Sequence, residues 1–558
     1  LYFKDFEIRN VFQCDSVIDG AVTASYSRNL TFENIIMHDI GERGYYIQGG
    51  AWKSWYEDDQ SLPEEERLGI SEPYWTDNSI DTTRFINCDV YNLCDSISYT
   101  AGWSPGGGAD GWKMTHYRGN HLIWDGCRGW NYTDDMLDPS LINGATIRVN
   151  NCWAMPGKYF PTLEIDGQSF ITESNGFKLA ALSWQNEDTA MHYAVFTNNL
   201  AMFGSTGFGL LDDRKWPLNA VYYNNTTYYL DLTFHGKSRR DFDPPYPRTE
   251  IYRNNIAYKG RLGTGTQSVP TWEIYLPTEP DEPYPESHNT WSWDPYFPWY
   301  VLDSVAVTDD DFITVDSLEL IELFTAPRQA DGSLPVIRPL TLAENSDLID
   351  AGTDVGMAFN GSAPDIGAFE CDIVPGTGNT YPEVSIITPL KESRFTKPCN
   401  ITITAEAYDP DGTIIKVEFF YQDTIKIDEV NSLPWSIAWD NSPFGRYPLR
   451  AVAYDNEGAK AISANVWITV RPGGIDIENT GILYPNPNNG SFTFLLSEPL
   501  LLNGTFLITS MDGKIVFEDT MKQTRMTKQF DLSSLAPGLY IITLFNHKIL
   551  ITNRFSKL

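Results

Sequence analysis

The chain has 558 residues, of which 40 are Lys or Arg and 74 are Asp or Glu, so its formal net charge is −34 at pH 7. A field of that sign disfavours nucleic acids and anionic membranes as partners, and a polyanionic ligand would need a local cation in order to bind. The length exceeds that of one ordinary core, which predicts several domains or a repeat architecture with appendages. No apolar run approaches the length of a membrane span.

A short phrase recurs through the first half of the chain, in which two short strands flank a corner that contains Asn or Gly. Its corners are assigned to Asn34, Asn87, Gly126, Asn151, Asn198, Asn225 and Asn255. Asn tolerates left-handed corners and can stack in ladders, so the phrase predicts a right-handed parallel β-helix over roughly residues 1–262. Steps of about 25 residues are expected to be one coil, and steps of about 50 to be two.

Cysteines and chain ends add to this interpretation. Seven widely spaced cysteines without a CxxC pair do not form a recognisable disulfide framework. Cys88, Cys127 and Cys152 share one register of the repeat and are expected to stack inside the solenoid. The chain begins at LYFKDFEIRN without Met, as if within a strand, so we expect an N-terminally truncated β-helix domain over 1–372.

The repeat fades after residue 262. Residues 263–372 are rich in Pro and Trp and then contain one helix-like piece, SLELIELFTAPRQ. We interpret them as a C-terminal cap on the open end of the solenoid. Residues near 50–80 form a long insert rich in Trp, Glu and Asp, which is expected to contribute to a binding face.

Two small β-sandwich domains are predicted after the linker at 375–382. Residues 383–471 alternate apolar and polar positions between turn signals, as in an immunoglobulin-like sandwich. Its DPDG turn contains Asp409 and Asp411, which could bind calcium, although such a turn forms without a metal and that simpler interpretation is preferred. Residues 479–558 form the second unit. The predicted class is therefore all-β, a parallel β-helix followed by two sandwiches.

The last unit resembles the C-terminal sorting domain of proteins exported by the type IX secretion system. The resemblance rests on Tyr484 to Gly490, on Asp512 to Lys514, and on Leu535 to Tyr540. It implies export across a bacterial outer membrane, with the type IX machinery as a partner. The expected location is secreted or at the cell surface.

Carboxylates are the strongest candidates for chemistry. WNYTDDMLDPS contains Asp134, Asp135 and Asp138, and Asp110 precedes Asp134 by about one coil. Residues one coil apart stack about 5 Å from each other, so four carboxylates are expected to converge. Such oxygen donors suit Ca²⁺. The histidines show no HxH or HExxH pair that would suit zinc, and Ser104 in GWSPG lacks the strand–turn–helix context of a nucleophile elbow.

Four motifs in order, ADGW, CRGWNYTDDMLD, NCWA and NGFKLAA, resemble polysaccharide lyase family 9. The resemblance implies a calcium-dependent pectate lyase on a right-handed parallel β-helix. It assigns Asp110, Asp134, Asp135 and Asp138 to calcium and Lys178 to the catalytic base. The family usually has Gly and an aromatic residue inside DDxxD, where this chain has Met136 and Leu137.

The expected reaction is β-elimination on a uronate polymer such as pectate, with calcium offsetting the charge of an acidic polysaccharide substrate. A glycoside hydrolase on the same solenoid is one alternative, although the GHG and RIK motifs typical of polygalacturonases do not occur. A non-catalytic carbohydrate-binding adhesin is the other. Retention of Lys178 in its motif favours an enzyme.

Overall fold

The computed structural model describes these residues: 1–11, 20–25, 29–41, 43–48, 82–93, 109–115, 121–140, 146–156, 164–165, 168–169, 175–179, 192–210, 218–235, 248–259, 274–275, 286–291, 307–396, 399–422, 425–440, 442–443, 445–471, 475–476, 481–484, 488–496, 504–510, 514–521, 527–545 and 549–557. Ser104, Cys14, Cys94, the Trp-rich insert and most of residues 263–306 lie outside them.

The first 24 strands are β1 Tyr2–Val11, β2 Gly20–Ser25, β3 Thr31–Ile40, β4 Arg43–Gln48, β5 Thr82–Ile86, β6 Asp89–Leu93, β7 Trp112–Thr115, β8 His121–Asp125, β9 Arg128–Tyr132, β10 Asp135–Ser140, β11 Thr146–Asn150, β12 Trp153–Met155, β13 Glu164–Ile165, β14 Gln168–Ser169, β15 Asn175–Leu179, β16 His192–Thr197, β17 Leu200–Leu210, β18 Leu218–Tyr223, β19 Thr226–His235, β20 Arg248–Arg253, β21 Ile256–Tyr258, β22 Ile274–Tyr275, β23 Glu286–Ser287 and β24 Thr290–Trp291. Within the described residues, the α-helix α1 Ser317–Thr325 follows a 3-10 turn at Asp309–Asp311.

The remaining strands are β25 Phe359–Asn360, β26 Glu383–Thr388, β27 Ser393–Thr396, β28 Ile401–Tyr408, β29 Ile414–Tyr421, β30 Ile425–Val430, β31 Ser436–Trp439, β32 Gly445–Asp455, β33 Lys460–Ile462, β34 Val466–Arg471, β35 Ile475–Asp476, β36 Gly481–Tyr484, β37 Ser491–Leu496, β38 Gly504–Ser510, β39 Ile515–Met521, β40 Thr527–Asp531, β41 Gly538–Phe545 and β42 Ile549–Lys557. The chain divides into two compact units, residues 1–355 with 359–379 and residues 356–358 with 380–558.

The first unit is a parallel β-helix, as predicted. Its successive coils add strands to three parallel faces. The first face runs β3–β5–β8–β11–β16–β18–β20–β23. The second runs β3–β6–β9–β12–β17–β19–β21–β24, and the third runs β2–β4–β7–β10–β15–β17–β19–β22.

Residues in the left-handed backbone conformation form the corners between the first and second faces. Five of the predicted corner residues have positive φ, from +49° at Asn151 to +65° at Gly126. The prediction was wrong by one residue in the two later Asn-Asn pairs, because Asn224 and Asn254 hold the corner conformation, with φ of +53° and +57°. A glycine or asparagine is favoured at these positions because other side chains clash in this conformation.

From Asn199 onward, the residue after each corner instead points inward, and these residues build a buried ladder. In each step one amide Nδ2 donates to the Oδ1 of the next coil, at 2.8–2.9 Å, along Asn199, Asn225, Asn255 and Asn289. Cys88, Cys127 and Cys152 occupy the corresponding position in earlier coils and are fully buried, as expected. The ladder therefore satisfies backbone groups that the coil corners would otherwise leave without partners.

Long steps in the repeat proved to be single coils. β5 pairs directly with β3, and β16 pairs directly with β11, although about 50 residues separate each pair of corners. The expectation of two coils for such steps was wrong, because the next strand of the first face stacks directly on the previous coil. The solenoid also continues beyond residue 262, since β22, β23 and β24 add a further coil.

Residues 307–355 and 359–371 lie along the side of the β-helix, whereas the sequence analysis expected a cap on its open end. Phe324 of α1 packs beside Trp130 and Trp153 on the second face, and Phe369 packs beside Trp153. Arg328 and Arg128 both form ion pairs with the buried Asp89, at 2.6 and 2.7 Å. The second face is apolar on its outer side, so this segment shields it from water.

The second unit contains antiparallel sheets, apart from two parallel edge pairings. In residues 380–471, β26–β28–β31 forms one sheet, and β30–β29–β32, with β33 and β34 on β32, forms the other. A core that includes Phe419, Trp439 and Tyr447 lies between them. In residues 475–557, β36–β37–β40 and β35–β42–β41–β38–β39 enclose a second core around Phe492, Phe506 and Phe555. These sandwiches agree with the predicted fold class.

Candidate metal centre

The candidate site lies on the third face of the β-helix, where three successive coils stack. Asp138 of β10 is the register partner of Lys113 in β7, and Asp135 of β10 is the partner of Asn175 in β15. The N–H of Gly111 donates to the carbonyl of Asp135 at 2.8 Å, which brings Asp110 beside the acidic stretch. The predicted stacking of Asp110 one coil before this stretch is therefore what the strand pairing produces.

Three of the four predicted carboxylates converge. Asp110, Asp135 and Asp138 each place one carboxylate oxygen within 4.8 Å of the others, and all three residues are buried. Asp134 does not belong to this closest group. It is partly buried and near enough that burial, together with the charges of Asp110 and Asp135, raises the pKa of Asp134 to about 9.

Three cationic side chains contact the same carboxylates. Lys178 Nζ lies 2.8 Å from Asp135 Oδ2 and 3.6 Å from Asp138 Oδ2. Lys113 Nζ contacts Asp138 Oδ2 and lies 3.8 Å from Asp110 Oδ2. Arg43 Nε donates to Asp110 Oδ2 at 3.2 Å. Three positive charges thus face the three clustered carboxylates.

Sequence reasoning found Lys178 but missed Arg43 and Lys113. Lys113 carried a signal, because it follows Asp110 by three positions and lies in register with Asp138 one coil later. Arg43 lies in β4, one coil before β7, and only the pairing of these strands relates it to Asp110. Its neighbour Tyr46 has a ring centroid 5.1 Å from the guanidinium.

The electrostatics follow from burying charges close together. Burial and the neighbouring Asp138 and Asp110 raise the pKa of Asp135 to about 6, although Lys178 opposes this shift. Burial also opposes ionisation of Asp138, but Lys113 and Lys178 together hold the pKa of its carboxyl below the usual range. Burial of Lys178 by itself would lower its pKa, but the carboxylates of Asp135 and Asp138 raise this pKa overall.

The donor set fits a hard divalent cation. The Oδ1 atoms of Asp110 and Asp138 are buried and have no hydrogen-bond partner among the described residues. Buried carboxylate oxygens without partners are costly, and a cation with oxygen ligands would compensate them. Asp135 and the nearby Asp134 add further carboxylate oxygens, and burial together with the neighbouring carboxylates raises the pKa of both groups.

The side chains of Met136 and Leu137 pack in the core of the solenoid. Both side chains are at most 2% exposed and belong to its main hydrophobic cluster. A Cβ added to Gly129 would lie 2.9 Å from Met136 Cγ, so the Met side chain fills the space that this glycine leaves open. These two residues therefore anchor the acidic stretch between Asp135 and Asp138 from inside.

Lys178 and Lys113 are more exposed than the carboxylates that they contact. Their side chains are 22% and 18% exposed, whereas those of Asp110, Asp135 and Asp138 are 0–3% exposed. The amines thus lie between the buried carboxylates and the solvent, where a ligand on the third face would meet them.

Family models match three regions of the chain. Residues 1–239 match the Pel9A-like, right-handed beta helix region, residues 382–464 match a bacterial Ig domain, and residues 482–557 match a secretion system C-terminal sorting domain. No helix in the described parts of the chain is both long enough and apolar enough to cross a membrane.

Two curated relatives align with this chain. The chain is 25% identical over 373 residues to pectate lyase L of Dickeya chrysanthemi, which covers 66% of each protein. It is 27% identical over 292 residues to pectate lyase L of Dickeya dadantii (strain 3937), which covers 51% of this chain and 55% of that one. The chain thus spans less than two thirds of either relative.

Among solved structures, pectate lyase Pel9A aligns with a TM-score of 0.41 at 23% identity, over 66% of this chain and 70% of that one. A structure titled rhamnogalacturonan lyase aligns with a TM-score of 0.41 at 19% identity, over 61% and 70%. The predicted architecture is confirmed by the family models, and the sorting domain indicates export to a secreted or cell-surface location. The chain therefore combines a Pel9A-like right-handed β-helix region with a bacterial Ig domain and a C-terminal sorting domain of the type IX secretion system.

Proposed function

We propose that the chain is an exported, calcium-dependent lyase that cleaves a uronate-containing polysaccharide such as pectate by β-elimination. The observation that carries this proposal is the contact of a partly exposed lysine, Lys178, with a buried group of carboxylates that have unsatisfied oxygens. Two relatives named pectate lyase L support the substrate class.

Asp110, Asp134, Asp135 and Asp138 would hold the calcium ion. When bound, Ca²⁺ would neutralise carboxylates of protein and substrate and stabilise the negative charge that develops beside the substrate carboxylate. Met136 and Leu137 keep the acidic stretch in place from the core side. A rigid support of this kind favours a preorganised charged site.

Lys178 would remove the proton from C5 of the uronate. Its Nζ contacts Asp135 and Asp138, whose charges raise its pKa, whereas a base must be neutral. Since these carboxylates hold its proton, Lys178 becomes a base when they are engaged elsewhere. The bond between C4 and the glycosidic oxygen then breaks, that oxygen takes up a proton from the solvent, and a double bond forms between C4 and C5 without addition of water.

The test is cleavage of polygalacturonate, followed by the absorbance of the unsaturated product. Wild type should form this product with calcium and lose activity in EDTA. Lys178→Ala should lower kcat by at least about 10³-fold, because the proton acceptor is gone. Lys178→Arg is the matched control: it keeps the positive charge beside Asp135 but does not deprotonate, so it should fold and remain inactive.

Three results would contradict this proposal. Full activity of Lys178→Arg would remove the assignment of the base. Activity that persists in EDTA would remove the role of calcium. Saturated products alone would indicate hydrolysis, and binding of the polymer without any cleavage would indicate an adhesin.

A further inference from the structure

The Asp135 carboxylate of the metal centre is held on both of its oxygens. Asn175 Nδ2 donates to Asp135 Oδ1 at 2.7 Å, and Lys178 Nζ donates to Oδ2 at 2.8 Å. Asp110 and Asp138 differ, since each has an Oδ1 without a hydrogen-bond partner among the described residues. The amide of Asn175 thus fixes one oxygen of Asp135 without adding charge to the site.

The main chain of Asn175 ties the same acidic stretch to β15. Its N–H donates to the carbonyl of Asp134 at 3.1 Å, and its carbonyl accepts the hydroxyl of Tyr132 at 3.0 Å. Asn175 and Asp135 are also register partners in the parallel pair of β15 and β10. These main-chain contacts place the amide opposite Asp135, and they do not depend on the side chain at position 175.

Burial makes this amide contact important for the orientation of Asp135. Asn175 is 9% exposed and Asp135 is fully buried, and a hydrogen bond to a buried carboxylate is stronger than one in water. The terminal torsion of an Asp side chain has broad minima, so the carboxylate turns unless donors fix it. Without the amide, Lys178 would be the remaining one of these two partners to orient Asp135.

We propose that Asn175 is a positioning residue of the metal centre, whose amide holds Asp135 Oδ1 so that Oδ2 stays directed at the other carboxylates. Lys178 Nζ, which contacts this Oδ2, lies 3.6 Å from Asp138 Oδ2. A cationic donor at position 175 would compete with a bound cation, whereas a neutral amide fixes the carboxylate without that competition. The inference rests on the proposed function, because the cation is the calcium ion proposed there.

The experiment is calcium titration of the full-length protein by calorimetry. Asn175→Leu replaces the amide with an apolar group of similar size and keeps the main-chain hydrogen bonds. It should weaken calcium binding about 10- to 100-fold, as expected when a group that orients a metal ligand is lost. Asn175→Ala should weaken binding in the same way, and it tests the inference without adding bulk.

Asn150→Leu is the matched control. Asn150 Nδ2 donates to Asp125 Oδ1 at 2.8 Å, which is the same kind of amide–carboxylate contact between stacked coils. This contact lies on the first face, outside the metal centre. The control should therefore keep the calcium affinity of wild type.

Polygalacturonate cleavage measured over a range of calcium concentrations provides the second readout. Asn175→Leu should be much slower than wild type at low calcium, whereas its kcat and its KM for the polymer should return to the wild-type values at saturating calcium. A merely structural defect would instead lower kcat at every calcium concentration.

The failure of this inference differs from the failure of the proposed function. Equal calcium affinity in wild type, Asn175→Leu and Asn175→Ala would overturn the role of Asn175 and leave the proposed function intact. A kcat that is lowered equally at all calcium concentrations would also overturn it. A wild type that binds no calcium would overturn both proposals.

Discussion

Replacing Lys113 with methionine tests how the side-chain cations of the site balance its carboxylates. Lys113 is the partner that Asp138 contacts directly, and it also lies 3.8 Å from Asp110 Oδ2. Methionine keeps most of the apolar length of the side chain but removes the charge. The site would then hold three clustered carboxylates against Arg43 and Lys178 alone.

The magnitude follows from these contacts. Two unit charges 3.8 Å apart attract each other by about 4 kcal/mol at an effective dielectric constant of about 20. Removing one partner of a buried ion pair typically costs about 3–5 kcal/mol, and we expect this loss of unfolding free energy without calcium. Because Lys113 competes with calcium for the same oxygens, Lys113→Met should bind calcium about 10- to 100-fold more tightly. At saturating calcium this recovers about 1.4–2.7 kcal/mol.

The assay is thermal unfolding of wild type and variant in EDTA and in calcium, together with calcium titration by calorimetry. Lys259→Met is the matched control, since the ion pair of Lys259 with Asp309 is largely exposed. Exposed pairs contribute at most about 1 kcal/mol, so this variant should change little in either condition. An equal loss in EDTA and in calcium for Lys113→Met, with unchanged calcium affinity, would refute the competition between Lys113 and the cation.

Three further predictions concern stability. Asp89→Asn leaves the buried Arg128 and Arg328 without their carboxylate. In chemical unfolding it should lower the free energy of unfolding of the first unit by about 3–5 kcal/mol, whereas the same substitution of an exposed aspartate should change it very little. Asn225→Ala removes the ladder partner of a backbone N–H and of a carbonyl in the preceding coil, which predicts a loss of about 2–5 kcal/mol in the same measurement. Although burial opposes ionisation, hydrogen bonds from two lysines and a tyrosine lower the pKa of Glu418 to about 2. A carboxyl with a lowered pKa in the folded state stabilises the fold above its unfolded pKa of about 4.3, and this contribution disappears as the pH falls from about 4.3 to 2. Acid unfolding of the second unit should therefore lose part of its pH dependence in that window in Glu418→Gln, and an unchanged profile would contradict the assignment.

The repeat made much of the first unit predictable. Strand positions point alternately inward and outward, and Asn or Gly marks the corners. Because this pattern is local, it identified the parallel β-helix and the inward cysteines. It did not separate the two residues of an Asn-Asn pair, because both are compatible with a corner. Only the stacking of coils decided that Asn224 holds the corner conformation while Asn225 points inward.

The variable length of the inserts between strands also limited what the sequence could predict about the coils. A step of about 50 residues is compatible with two coils or with one coil and a long excursion, and the choice depends on which strands pair. The position of residues 307–371 could not be predicted for the same reason. Their apolar residues indicate burial, but the face that they cover is defined only by the folded solenoid.

For the candidate site, the resemblance to a family assigned Lys178, which is 43 positions from Asp135. The sequence by itself indicated the acidic residues, because about 25 positions, the length of one short coil, separate Asp110 from the acidic stretch. It did not determine their counter-charges. Arg43 reaches Asp110 from 67 positions away, across an insert of variable length, and Lys113 is paired with Asp138 rather than solvated. Residue types and local spacing are properties of the sequence, whereas burial and charge balance arise only when distant segments pack.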